Sequence, residues 1–173
     1  KIDGFVKEGD AYDVFKEVYK NGGYTNEMML KEILHYSEYY HTFLNGNKQY
    51  GAEVDMLLKN LQQLKQTTVF LFLFRVFDDY HGGVIDQKEL TKVLRFLLNY
   101  SIRRLICEVG SNSLRGLYKT LYSRVFARKE NKEHYYDSIV SFFQQLTSRD
   151  ALPDDKAFVL ALKQNNLYRK NAL

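Results

Sequence analysis

One cysteine, one proline and no tryptophan in 173 residues each remove a class of protein. A lone thiol, Cys107, cannot build an internal disulfide framework or a cysteine zinc site, and it fits a reducing, cytoplasmic setting. With a single proline and ten glycines, the chain has little of the turn grammar that an all-β protein requires. The most apolar run, 69–77 (VFLFLFRVF), is interrupted by Arg75 and falls far short of the roughly 20 residues of a membrane span. No glycine-rich phosphate loop, serine nucleophile elbow or Cys-His arrangement occurs. The four histidines, His35, His41, His81 and His134, are scattered, none at metal-ligand spacing from another His or Cys.

What remains is a foldable chain. Hydrophobic residues make up 45% and charged residues 27%, which argues against disorder and for a buried core. The 14 tyrosines and 12 phenylalanines read as fillers between helices, with base-stacking platforms as the alternative. Charge is uneven. Residues 1–90 carry 10 basic and 14 acidic side chains and residues 91–173 carry 15 and 7, so the second half is basic. A basic half can face nucleic acid, an acidic neighbouring domain or solvent.

Apolar spacing predicts an all-α protein, an irregular bundle of about eight helices. A helix over 11–20 carries Val14, Phe15 and Val18 and stops at Asn21-Gly22-Gly23. Thr25 caps a second, running to about Leu44, whose stripe is Met29, Leu30, Ile33, Tyr40 and Phe43. A third spans 51–65 and a fourth 69–77. Asp86 caps a fifth over 87–107, with Glu89 completing a capping-box-like pattern; its stripe runs from Leu90 through Val93, Leu94, Leu97 and Leu98 to Leu105, and Gly110 closes it. Ser111 or Asn112 caps a sixth, built on Leu114, Leu117, Leu121 and Val125. Asn131 caps a seventh over 132–147, and Pro153 introduces an eighth over 154–164.

The break between the fourth and fifth helices has a partial calcium-loop pattern. Asp78 stands at loop position one, Gly83 at six, Ile85 at eight, Asp86 at nine and Glu89 at twelve, but Tyr80 and Gly82 take positions where oxygen ligands belong. Asp78, Asp86 and Glu89 are therefore weak calcium candidates, and a glycine turn feeding a capped helix accounts for the same residues. Arg104 lies beside the apolar stripe of the fifth helix, and a buried charge there needs a carboxylate or carbonyl partner; it is read as pinning the helix to a neighbour. Arg103, Arg115, Lys119, Arg124 and Arg128 are the candidates for contacts to a DNA backbone, which would fix position without reading sequence.

Four segments carry a family likeness: DDYHGGVIDQKELTKVLRFLLNY, RRLIC, SNSL and LPDDKAFVLAL. In combination they resemble the helical middle region of GmrSD-type modification-dependent (type IV) restriction endonucleases and their bacterial relatives, over about 25–173. The resemblance implies a bacterial defence protein in which a nucleotide-using DGQQR domain precedes this region and an HNH nuclease part follows it. Neither motif occurs in this sequence, so no catalytic residue carries over and no cofactor is implied for this segment. On that basis residues 1–150 form a helical connecting domain, and residues 151–173 begin the nuclease-associated region of a longer protein. The expected partners are its own flanking catalytic domains and double-stranded DNA, with no membrane. A stand-alone helical protein-interaction domain is the alternative, and a degenerate calcium binder the third.

Overall fold

Side chains spaced three and four apart become eight α-helices in the computed structural model, which describes residues 8–22, 25–46 and 49–164. They are α1 (Ala11–Asn21), α2 (Asn26–Asn45), α3 (Ala52–Gln63), α4 (Phe70–His81), α5 (Gln87–Ile106), α6 (Leu114–Val125), α7 (Tyr135–Gln144) and α8 (Asp155–Gln164), with short 3-10 turns at Glu8–Asp10, Thr67–Val69, Lys129–Lys132 and Ser148–Asp150. There is no strand among the described residues, so the all-α expectation holds. None of these helices is long and apolar enough to cross a membrane.

The chain forms two compact units, Lys1–His41 and Thr42–Leu173. Residues on both sides of position 150, the expected domain boundary, belong to the second unit; positions beyond 164 lie outside the described residues. In the first unit Thr25 caps α2 by accepting from the Met28 amide at 3.2 Å, as expected. The Tyr19 hydroxyl donates to Asn26 Oδ1 across the turn at 2.6 Å.

In the second unit α5 is the centre, packing on α3, α4, α7 and α8, while α6 lies on α4 and on the Thr67–Val69 turn. Leu90, Val93, Leu94 and Leu97 of α5 meet solvent nowhere. The aromatic rings fill helix interfaces, with Phe43 packed against Phe70, Phe74 and Phe77 and Phe143 against Phe96 and Tyr100. Edge and stacked contacts of this kind let large rings fill the spaces between non-ideal helices.

Several details differ from the periodicity. Leu30, Ile33 and Tyr40 of the expected α2 stripe are exposed, as are Phe15 of α1 and Leu105 of α5. Helix α7 begins at Tyr135, not Lys132. Asn131 caps nothing there; its amide donates to the Val125 carbonyl at 2.5 Å, closing α6. Ser113, not Ser111 or Asn112, precedes α6, and it makes no side-chain cap. The end of α5 is set by Glu108, at φ 55°. The Glu108 amide bonds the Leu105 carbonyl and the Val109 amide the Arg104 carbonyl, the two bonds of a Schellman ending that usually has glycine at this position. Lys65, also at φ 55°, closes α3 in the same way through bonds to Gln62 and Leu61. Glycine takes the left-handed position after α4, Gly83 at φ 73°, and after α2, Gly46 at φ 67°.

Candidate functional site

The last turns of α5 carry the two adjacent arginines, and they do different work from that of a phosphate-binding pair. Arg103 donates through Nε to Asn99 Oδ1 at 2.8 Å, through Nη1 to the Pro153 carbonyl at 3.0 Å and through Nη2 to Asp155 Oδ1 at 2.5 Å. Its guanidinium also covers the Phe158 ring. The two terminal nitrogens thus tie α5 to the start of α8, while Nε braces the side chain along α5 itself; Asp154 caps α8 by accepting from Ala157 at 2.7 Å.

Arg104 is 2% exposed. It donates to the Tyr100 hydroxyl at 3.1 Å, to the Arg149 carbonyl, and to the Gly110 carbonyl at 2.5 Å. Tyr100 in turn donates to the Asp150 carbonyl at 2.8 Å. Backbone between helices has orphan carbonyls that must find donors when covered, and Tyr100, Arg103 and Arg104 supply them for 149–153. Burial pushes the Tyr100 phenol up to about 12 against the opposing charge of Arg104, so it stays a donor at neutral pH.

A second cluster lies where α4, α6 and α7 meet, and its centre went unnoticed in the sequence beside the calcium candidate Asp78. Asp79 is 7% exposed. Its Oδ2 accepts from the hydroxyls of Tyr122 at 2.7 Å and Tyr135 at 2.8 Å, and its Oδ1 from Lys132 Nζ at 2.7 Å. Two phenols and an ammonium match what a desolvated carboxylate needs. Burial first, then the charge of and hydrogen bond to Asp79, hold the Tyr135 phenol far above its ordinary range. Tyr122 is raised chiefly by burial. For Lys132 burial acts downward, but the bonds to Asp79 and Tyr122 outweigh it and its pKa is raised. The two phenols and the ammonium therefore stay donors near neutrality. Such a cluster fixes helices in place.

What Asp79 positions is α6. The buried side of that helix is Leu114, Leu117, Tyr118, Leu121 and Val125. Opposite them, helical projection places Gly116, Thr120 and Ser123, all exposed, with Arg115 and Lys119 along one edge and Arg124 along the other. Thr120 and Ser123 turn their hydroxyls back to helix carbonyls, at 3.2 and 3.0 Å, and a Cβ on Gly116 would meet no atom within 4 Å. The face is low and polar between two cationic edges. Arg115, Arg124 and Arg128 are exposed and Lys119 half-buried, and the Arg124 guanidinium lies 4.7 Å from the Phe142 ring centroid. From Val109 to Lys129 the sequence has no acidic residue.

The calcium candidates are spread over three tasks. Asp78 lies 3.6 Å from Arg75, and Asp86 accepts from the Glu89 amide at 2.8 Å, capping α5. Glu89 does not return the capping-box bond. Its Oε1 accepts instead from the Tyr136 amide of α7 at 2.9 Å, and its Oε2 pairs with Lys92 at 3.1 Å. Among the described residues no three His, Cys, Asp or Glu side chains gather as a metal site would require. The Tyr50 hydroxyl lies 2.9 Å from His81 Nε2. Burial raises the Cys107 thiol, with Arg103 opposing, so it is not an activated thiolate. No family model, curated protein or solved structure matches the chain.

Proposed function

We propose that this chain is a non-catalytic helical region of a restriction-type defence protein, holding a DGQQR nucleotide-using domain and an HNH nuclease part relative to one another while α6 rests on the backbone of double-stranded DNA. The observation that carries the DNA contact is the α6 face. Cations edge a surface of Gly116, Thr120 and Ser123, so a phosphate chain can approach closely and meet charge on both sides. No acidic side chain from that stretch of sequence opposes it. The contact is made by Arg115, Lys119, Arg124 and Arg128. Arg103, whose nitrogens are committed to Asn99, Pro153 and Asp155, contributes by fixing α8.

Duplex binding measured at several salt concentrations tests this. Affinity should fall steeply with salt, and replacing Arg124 and Arg128 together by alanine should weaken binding about equally on every sequence and flatten the salt slope by roughly 2. Binding that is flat from low to moderate salt, or unchanged in the double variant, overturns the reading.

A further inference from the structure

Arg104 is 2% exposed, and among the described residues no carboxylate pairs with it directly. Nη1 and Nη2 are spent on the Tyr100 hydroxyl and on the carbonyls of Arg149 and Gly110. Nε is buried and has no hydrogen-bond partner. Asp150 Oδ1, on a half-buried side chain, is itself buried and without a partner. A desolvated donor of one charge and a desolvated acceptor of the other are each strongly unfavourable when left unmet.

The two groups are near each other without touching. One phenol links their surroundings: Tyr100 accepts from Arg104 Nη1 at 3.1 Å and donates to the Asp150 carbonyl at 2.8 Å. Tyr118 forms a third wall. It is 0% exposed and its hydroxyl has no hydrogen bond; the Ser101 hydroxyl alongside it is already given to the Leu97 carbonyl at 2.8 Å. Burial first, then Tyr100, raises the Tyr118 phenol, while Arg104 lowers it and Asp150 raises it, as befits a ring that stands near both charges.

We propose that one buried water joins Arg104 Nε, Asp150 Oδ1 and the Tyr118 hydroxyl, making a water-mediated ion pair that ties α5 to α6 and to the Ser148–Asp150 turn. The chemistry selects the ligand. Arg104 repels a cation and Asp150 an anion, so the occupant is neutral. It accepts from Nε and donates to Oδ1, and two hydrogen bonds end to end span about 5–6 Å, just beyond direct ion-pair reach. Water does both with one bond left for Tyr118, the usual three for a buried molecule. Holding it in place costs less than leaving a charged donor and a charged acceptor dry.

The test uses the folded, isotope-labelled 173-residue chain. A nuclear Overhauser contact between water and the Arg104 Nε proton is expected, with the sign of a molecule that stays longer than the protein takes to tumble. Hydroxyl protons relay such contacts, so relaxation dispersion of the water oxygen, which no hydroxyl imitates, is measured in parallel. Asp150→Leu puts an apolar group in place of the acceptor, in a connector between helices. Helicity should hold, the Overhauser contact should disappear, and the dispersion should fall by one long-lived water. Tyr118→Phe removes the third bond and should shorten the water's stay about fivefold, weakening both signals; it decides alone if Asp150→Leu loses helicity. No contact at the Arg104 proton in the parent chain, or a dispersion that the folded variants leave unchanged, overturns the proposal.

Discussion

Asp79 shows what one buried carboxylate can hold. Its three donors come from two different helices and the Lys129–Lys132 turn, so its removal costs more than the loss of any one of them. Asp79→Ala leaves the Lys132 ammonium half-buried beside unpaired phenols and should cost about 3–5 kcal/mol. Tyr135→Phe removes one bond to a charged acceptor and should cost about 1.5–3 kcal/mol. Urea unfolding checks both, and an Asp79→Ala chain within about 1 kcal/mol of the parent would show that the cluster is not a lock. The sequence could not single this residue out, since Asp78 and Asp79 are adjacent carboxylates in one word and only the packing of α6 and α7 tells them apart. Arg104 was legible, because a charge on the apolar side of a helix must find oxygen. That the oxygens would be the carbonyls of Arg149 and Gly110 was not, since such partners carry no side-chain signature.

Among the elements, helix existence could be read and helix endings could not. Periodicity gives all eight helices because most have a buried stripe or a cap in their own sequence. Endings follow from longer-range bonds. Glu89 has the spacing of a capping box, yet its carboxylate serves the Tyr136 amide of α7, 47 residues away in sequence. Likewise α3 and α5 close on Lys65 and Glu108 in a left-handed conformation that disfavours side chains. Lys65→Gly and Glu108→Gly should each therefore stabilise the protein, by about 0.5–1 kcal/mol after the added freedom of the unfolded chain is subtracted. Thermal unfolding of the two variants gives the sign, and a lowered Tm in both would mean that the side chains contribute contacts that outweigh the strain. The α2 stripe was misassigned for another reason. Periodicity says that a face is apolar, but not which of two apolar sides of a helix is buried.

Taken whole, the second unit places much of its polarity inside as tyrosine. The pKa values of Tyr100, Tyr118, Tyr122 and Tyr135 are all raised by burial, and Lys132 is raised by its partners. A raised folded pKa gives stability that is complete below the unfolded value, about 10 for tyrosine, and lost as pH climbs through the folded one. Stability should thus be level near neutrality and fall above about pH 10. Tyrosinate absorbance should rise in two stages, the exposed phenols first and the buried ones only with loss of helicity. A single smooth rise with the helices intact would contradict the burial.

The Asp79 cluster also restricts how the sequence can change with time. Trading a tyrosine donor for phenylalanine leaves a carboxylate that still has its ammonium, a tolerable step. Trading the carboxylate first strands a charge and two hydroxyls in the interior. Descent therefore has a preferred order here: positions 122 and 135 can drift while Asp79 and Lys132 persist, and those two are exchanged together or not at all. Among relatives, residues 79 and 132 should be inherited as a pair.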